Sequence, residues 1–259
     1  MREKLKVLIT VKTYPMPSDK YDELVCTAGV LEDGTFIRLY PINYRSKPYD
    51  NWYKKYQWVE VEVEKNKKDY RPESFKPIGD LKPIGEIVST KNNWSERKSI
   101  VLKKYGPSMC DLNKTLQKDV SLGIIKPRIV EDIIKEETER QWKPQWIANM
   151  IQMNMFNQHE RNLEKIPYKF RYNFKCMDPN CKGHKMMIED WELGQLYRTM
   201  RDKYHDEKVA CDKVKFKFLN DICGEDKDTY FYVGTTMPNG TWVVIGTFHP
   251  KLENIKFDI

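Results

Sequence analysis

The arrangement of apolar and polar positions changes character several times along the chain. Residues 5–14 (Leu-Lys-Val-Leu-Ile-Thr-Val-Lys-Thr-Tyr) form a nearly continuous apolar run that Pro15 and Pro17 close, the pattern of a buried strand. Two further β-rich runs follow, Glu23 to Val30 and Thr35 to Pro41, with Asp33-Gly34 between them. Glycine accepts the positive φ of a tight turn, so this reads as a hairpin. Residues 57–64 alternate strictly, with Val59, Val61 and Val63 on one face and Glu60, Glu62 and Glu64 on the other. The first ~65 residues are therefore expected to be antiparallel sheet, a small and partly closed barrel. Three prolines and many charges between 66 and 87 predict a long surface loop.

Beyond residue 90 the pattern predicts a helical middle. A helix capped by Asn93 or Ser95 is expected to run to Tyr105, followed by a second over 108–119. Leu122 to Pro127 reads as a short strand. Residues 129–139 fit either a strand or a helix, and the methionine-rich stretch 143–163 fits packed core. The cleanest alternation lies at 168–176, where Tyr168, Phe170, Tyr172, Phe174 and Cys176 alternate with Lys169, Arg171, Asn173 and Lys175. Two helices then fit 190–204 and 207–222. The terminal runs 229–234 and 241–248 flank Asn239-Gly240 as a hairpin. The expected class is α+β: a β-rich domain over 1–90, then an α+β domain over 91–259, the two either separate or continuous.

At 259 residues with 40% hydrophobic and 12% aromatic content, the chain can bury a substantial core despite a mean hydropathy of −0.73. No apolar run approaches the ~18 residues of a bilayer span, and the basic N-terminus lacks a cleavage site. A cytoplasmic location is the expectation. Six sparse cysteines without an export signal read as free thiols or metal ligands rather than a disulfide framework. The net charge of +7, from 45 basic against 38 acidic residues, favours an anionic partner, of which nucleic acid is the commonest. A protein partner is a further expectation.

Charge and spacing together single out the segment 176–192. Cys176, Cys181 and His184 place two thiols and an imidazole within nine residues, and Pro179 and Gly183 let the loop curl so that they converge. Borderline-soft Zn²⁺ prefers these ligands, and the spacing C-x4-C-x2-H fits a zinc knuckle. A fourth ligand is missing from the motif. Candidates are His205, Cys223, Cys211, Asp190, Cys26 or a water. A fourth protein ligand makes the site structural. A water there makes hydrolysis the alternative, with His184 on the metal and Asp190 or Glu192 as base, although both also suit a helix N-terminus. Phosphate loops, G-x-S-x-G, H-E-x-x-H and the zinc-deaminase signature are absent from the sequence, and Glu60, Glu62 and Glu64 read as a solvated face.

Lys169, Arg171 and Lys175 lead into this loop and Lys182 extends their charge through it. Arg38, Tyr44 and Arg45 form a second basic-aromatic group. Arginine and lysine contact phosphates and tyrosines stack on bases, so these seven residues are the expected nucleic-acid face. The leading expectation is a zinc-stabilised nucleic-acid-binding protein, with a subunit of a DNA- or RNA-processing system as its expected setting. Its alternatives are the metal-dependent, nuclease-like hydrolase and a protein-interaction subunit with a structural metal.

Overall fold

A computed structural model describes residues 2–17, 23–42, 44, 52–116, 118–154 and 163–253. Strands β1 (Arg2–Lys12), β2 (Met16–Pro17), β3 (Glu23–Val30), β4 (Phe36–Ile42), β5 (Trp58–Lys65) and β6 (Ser74–Ile84) form one sheet in the order β1-β5-β6-β4-β3-β2. β1 pairs antiparallel with both β5 and β3, so the sheet curls into a ring. The neighbours β4 and β6 are joined by a short parallel contact at Arg38–Ser74 and Leu39–Phe75.

The expected proline-rich loop thus contains an eleven-residue strand. Beyond Phe75, β6 has β5 as its ladder partner, with Pro77 opposite Val63 and Pro83 opposite Val59. An edge strand tolerates proline because it has a side on which no N–H is needed. Val59, Val61 and Val63 face the ring interior with Val7, Ile9, Val25, Ile37 and Leu39. On the opposite face Glu60 and Glu64 pair with Lys4 and Lys76 in solvent.

The unbroken apolar run of β1 has its reason in the second core. Val7 and Ile9 point into the ring, while Leu8 and Val11 point out of it against Leu122, Tyr232, Val243 and Ile245. A register shift between Ile9 and Val11 resets the alternation. That outer face packs on a three-stranded sheet of β7 (Leu122–Ile125), β11 (Tyr230–Thr235) and β12 (Trp242–Phe248), ordered β12-β11-β7. Both cores are needed to bury one strand, and this ties the N-terminal ring to the C-terminal half.

The third sheet, β10-β9-β8, is built from β8 (Pro127–Glu137), β9 (Tyr168–Cys176) and β10 (His184–Met187). The ambiguous 129–139 segment is therefore strand. Phe170, Tyr172, Phe174 and Cys176 point inward against Leu193 and Tyr197 of α4 (Trp191–Tyr204), Cys211 and Val214 of α5 (Glu207–Lys215), and Phe231 of β11. A π-helical turn, Phe216–Asp221, continues α5.

The helical middle is largely not realised. It consists of α1 (Lys91–Val101), the four-residue α2 (Met109–Leu112) and α3 (Pro144–Asn154), with β7 and β8 between them. Asn93 does not cap α1; its side-chain amide donates to the Lys251 carbonyl and Glu253 instead. Both terminal hairpin strands and the Asp190 cap of α4 follow the sequence pattern. Among the described residues no helix is long and apolar enough to cross a membrane.

Candidate functional site

The end of β9, the loop after it and the start of β10 build one side of a thiol–imidazole cluster. Cys176 is the last inward residue of the β9 alternation and is buried. The chain then turns, with Asp178 accepting from the backbone N–H groups of Asn180 (2.8 Å, on its side chain) and Cys181 (3.1 Å, on its carbonyl). Gly183 has φ of +107°, a conformation that L side chains rarely adopt, and its N–H donates to Cys181 Sγ at 3.4 Å. Cys176 N–H donates to the same sulfur, also at 3.4 Å. His184 then enters β10 opposite Phe174, whose ring lies 5.2 Å from the imidazole.

The other side comes from Cys110, 66 residues upstream of Cys176. It sits on α2, a helix too short to stand by itself. A reciprocal capping box holds the helix: Ser108 Oγ accepts from Asp111 N–H, and Asp111 accepts from Ser108 N–H. Met109 and Leu112, both buried, anchor it in the core beneath. Cys110 Sγ consequently lies 3.6 Å from Cys176 Sγ and 3.5 Å from His184 Nε2, and Cys181 Sγ lies 3.2 Å from the same nitrogen.

The ligand atoms of Cys110, Cys176, Cys181 and His184 all lie within 4.8 Å of one another. Zinc bound tetrahedrally through three thiolates at about 2.3 Å and an imidazole at about 2.0 Å separates its ligand atoms by roughly 3.5–3.8 Å. The cluster fits that group in spacing and in donor chemistry. Its electrostatics fit as well. In Cys176 the cost of burial is outweighed by the N–H groups of Asp178 and Cys110 and by the His184 and Cys181 contacts, which hold the thiol down to about 6. Burial, reinforced by Cys176 and Cys181, pushes the Cys110 thiol up to about 12. Crowded thiols that resist sharing negative charge are relieved when a divalent cation takes the place of their protons.

The fourth donor in the cluster is thus none of the candidates named from sequence. His205 terminates α4 in a left-handed conformation, Cys211 is buried in the stripe of α5, and Cys223 contacts the Tyr172 hydroxyl at 3.9 Å. Cys26 lies in β3 and Asp190 caps α4. Cys110 stands next to a Ser-x-x-Asp capping signature, and that was the available signal; its partners are too distant in sequence to reveal it.

Asp190 and Glu192 are not brought to the cluster. Asp190 Oδ1 accepts from Glu192 N–H at 2.8 Å, and Glu192 pairs with Lys55 of the N-terminal half at 3.0 Å. The expected basic face is also redistributed. Lys169 and Lys182 are exposed, but Arg171 pairs with Glu136 at 3.0 Å and Lys175 with Glu131 at 3.6 Å, both across to β8. Arg38 is 2% exposed and donates to the Ser121 hydroxyl (2.8 Å) and carbonyl (3.0 Å), while Ser121 in turn donates to Glu73. Tyr44 is buried, its hydroxyl donating to the Tyr53 carbonyl at 2.8 Å. A phosphate cannot reach Arg38, nor can a base stack on Tyr44 from solvent. Ile37 and Leu39 take the ring-facing side of β4, so Arg38 lies on the other side, where the C-terminal half covers it at Ser121, while Tyr44 packs on Tyr53. Arg45 lies outside the described residues.

Comparison with known proteins adds a family. Residues 3–103 match a model described as a domain of unknown function, DUF8758. No curated protein matches the chain. Among solved structures, a murine DNA-binding protein bound with double-stranded DNA is similar over 98% of this chain and 97% of its own, at 9% identity and a TM-score of 0.34, a likeness too low to carry a fold or a function. Residues 105–258, more than half of the chain and all four members of the cluster, match the model of the domain of unknown function DUF8757, and the chain belongs to that family.

Proposed function

We propose that the protein binds nucleic acid and that a structural zinc ion, held by Cys110, Cys176, Cys181 and His184, pins the sheet that presents the binding face. The observation that carries this reading is the fourth protein ligand. Four protein donors close a tetrahedral site, whereas a catalytic zinc keeps a position open for water. The nuclease-like alternative also needs Asp190 or Glu192 beside the metal, and both are engaged elsewhere. The ion would join α2 to the β9–β10 hairpin and would supply fixed positive charge there, in place of thiol protons.

Support for the partner comes from charge. The chain carries +7. Lys169, Lys182 and Lys185 are exposed along β9, the metal loop and β10. Arg171 and Lys175 add to this face with their charge partly balanced by β8 carboxylates. Such a mixed face favours moderate, backbone-directed binding over tight base-specific readout. The test is oligonucleotide binding across a salt series. Log K should fall linearly with log salt, and the triple variant K169E/K182E/K185E should weaken binding at low salt by about tenfold or more and flatten the slope. An absence of binding at low salt sinks the reading.

A further inference from the structure

The three thiols of the metal cluster are not equivalent. Cys176 and Cys181 are buried, whereas Cys110 is half-buried at the rim. An open cavity of about 390 Å³ lies there between α2 and the metal loop. It is lined by Ser108 and Asp111, which bracket Cys110 in sequence, and by Met177 and Asp178, which follow Cys176. The backbone N–H groups of Cys176 and Gly183 donate to Cys181 Sγ, and those of Asp178 and Cys110 donate to Cys176 Sγ. Among the described residues no backbone N–H donates to Cys110 Sγ, which meets Cys176 Sγ at 3.6 Å and His184 Nε2 at 3.5 Å. N–H donation draws electron density from a thiolate and blunts it as a nucleophile, and burial shields it. Cys110 is therefore the sulfur that an oxidant from solvent meets first and finds most reactive.

A second sulfur is already in place to complete the reaction. Cys176 Sγ has to close on Cys110 Sγ from 3.6 Å to about 2.05 Å to form a disulfide. α2 is a single turn of four residues, so this contraction needs side-chain rotation and at most a small shift of that turn.

We infer that the cluster is a peroxide-responsive redox switch, in which oxidation joins Cys110 to Cys176, expels the zinc ion and frees the loop that carries Lys182. The inference rests on the structural-zinc reading above. The Cys110 thiolate attacks one oxygen of hydrogen peroxide, the O–O bond breaks, and hydroxide leaves a sulfenic acid on Cys110. The Cys176 thiolate then attacks that sulfur, the S–O bond breaks, and a second hydroxide departs as the disulfide forms. The two sulfurs together lose two electrons, the peroxide gains them, and two protons from solvent convert both hydroxides to water. Zinc is left with Cys181 and His184, two protein ligands in place of four, and dissociates. The disulfide still ties α2 to β9. The loop, however, loses the bond that held Cys181 and His184 to them, and the exposed Lys182 and Lys185 lose their anchor with it.

The test treats the full-length, zinc-loaded protein with hydrogen peroxide and follows released zinc with a chromogenic chelator. Peptide mapping without reductant and limited tryptic cleavage are read on the same samples. One zinc ion per chain should leave as two thiols are lost, with a Cys110–Cys176 peptide pair appearing in step. Dithiothreitol with added zinc should reverse both changes. Cleavage after Lys182 and Lys185 should quicken about tenfold or more on oxidation. C223A should respond as the wild type does, because Cys223 lies outside the cluster; a response that needs Cys223 overturns the assignment. Zinc retained while Met177, 49% exposed, is oxidised overturns the switch and leaves the structural zinc standing. Release with a Cys176–Cys181 pair, or with no disulfide, overturns the assigned chemistry. Unchanged cleavage after release overturns the freeing of the loop. Absence of zinc from the unoxidised protein overturns the zinc reading, and the switch with it.

Discussion

Substituting Cys110 by alanine separates a local knuckle from a site that staples distant parts of the chain. Cys176, Cys181 and His184 lie within nine residues and would hold a metal at little cost in chain entropy. Cys110 comes from 66 residues away, so its bond to the proposed metal would close a long loop. By the chain-entropy relation for a cross-link, a loop of that size contributes about 4 kcal/mol. For a chain of this size each kcal/mol moves the melting temperature by about 2–4 °C. The zinc-bound wild type should therefore melt well above its chelated form, and C110A should lose about 8–16 °C of that gain. Measuring each protein with zinc and with chelator removes the effect of the lost side chain itself. Zinc content by mass spectrometry should be one ion per wild-type chain and clearly less in C110A after dialysis. C223A is the control, because Cys223 contacts Tyr172 and not the cluster. If C110A keeps a full zinc ion and the full thermal gain, Cys110 is not a ligand, and the argument for a closed structural site is wrong.

Other outcomes follow from single features of the fold. Arg38→Met removes a buried guanidinium from Ser121 and should cost roughly 3 kcal/mol in urea unfolding, because buried Ser121 and half-buried Glu73 are left without their cation. A surface phosphate contact at Arg38 would instead leave stability almost unchanged. Gly194→Ala places a Cβ 2.2 Å from Tyr14 Cδ2 and 3.0 Å from Ile166 Cδ1, and the Tyr14 ring is tethered by its hydroxyl to the Glu164 carbonyl; a loss of about 1–3 kcal/mol is expected. Burial, with Lys55 adding to it, pushes the His249 imidazole down to about 4. Its unfolded value is near 6.5, so the unfolded chain takes up the proton first. Stability from this group is complete above pH ~6.5 and is lost as pH falls towards 4, by about 2 kcal/mol after allowance for its partly exposed edge. The difference in unfolding free energy between wild type and H249Q should therefore vary across that window, and a constant difference would refute the assignment.

Periodicity and turn chemistry carried much of the fold. The alternations at 57–64 and 168–176 became β5 and β9, because a strand buried on one face has period two whatever it packs against. Asp190 followed by Glu192 announced the start of α4, since capping is a local hydrogen-bond requirement. Likewise, the clustering of Cys176, Cys181 and His184 was legible because a nine-residue loop brings its own side chains together. The misreadings have equally physical causes. Prolines at 77 and 83 resembled a loop, but beyond Phe75 the strand β6 pairs with β5 alone, so one of its sides there asks for no N–H. Arg38 looked like a surface cation because nothing local announces Ser121 across the interface. Tertiary structure alone decided the fourth donor of the cluster and the pairing of Lys55 with Glu192. Those contacts join residues separated by dozens of positions or more, and only the packing of the ring against the C-terminal sheets and the seating of α2 on its core bring them within bonding distance.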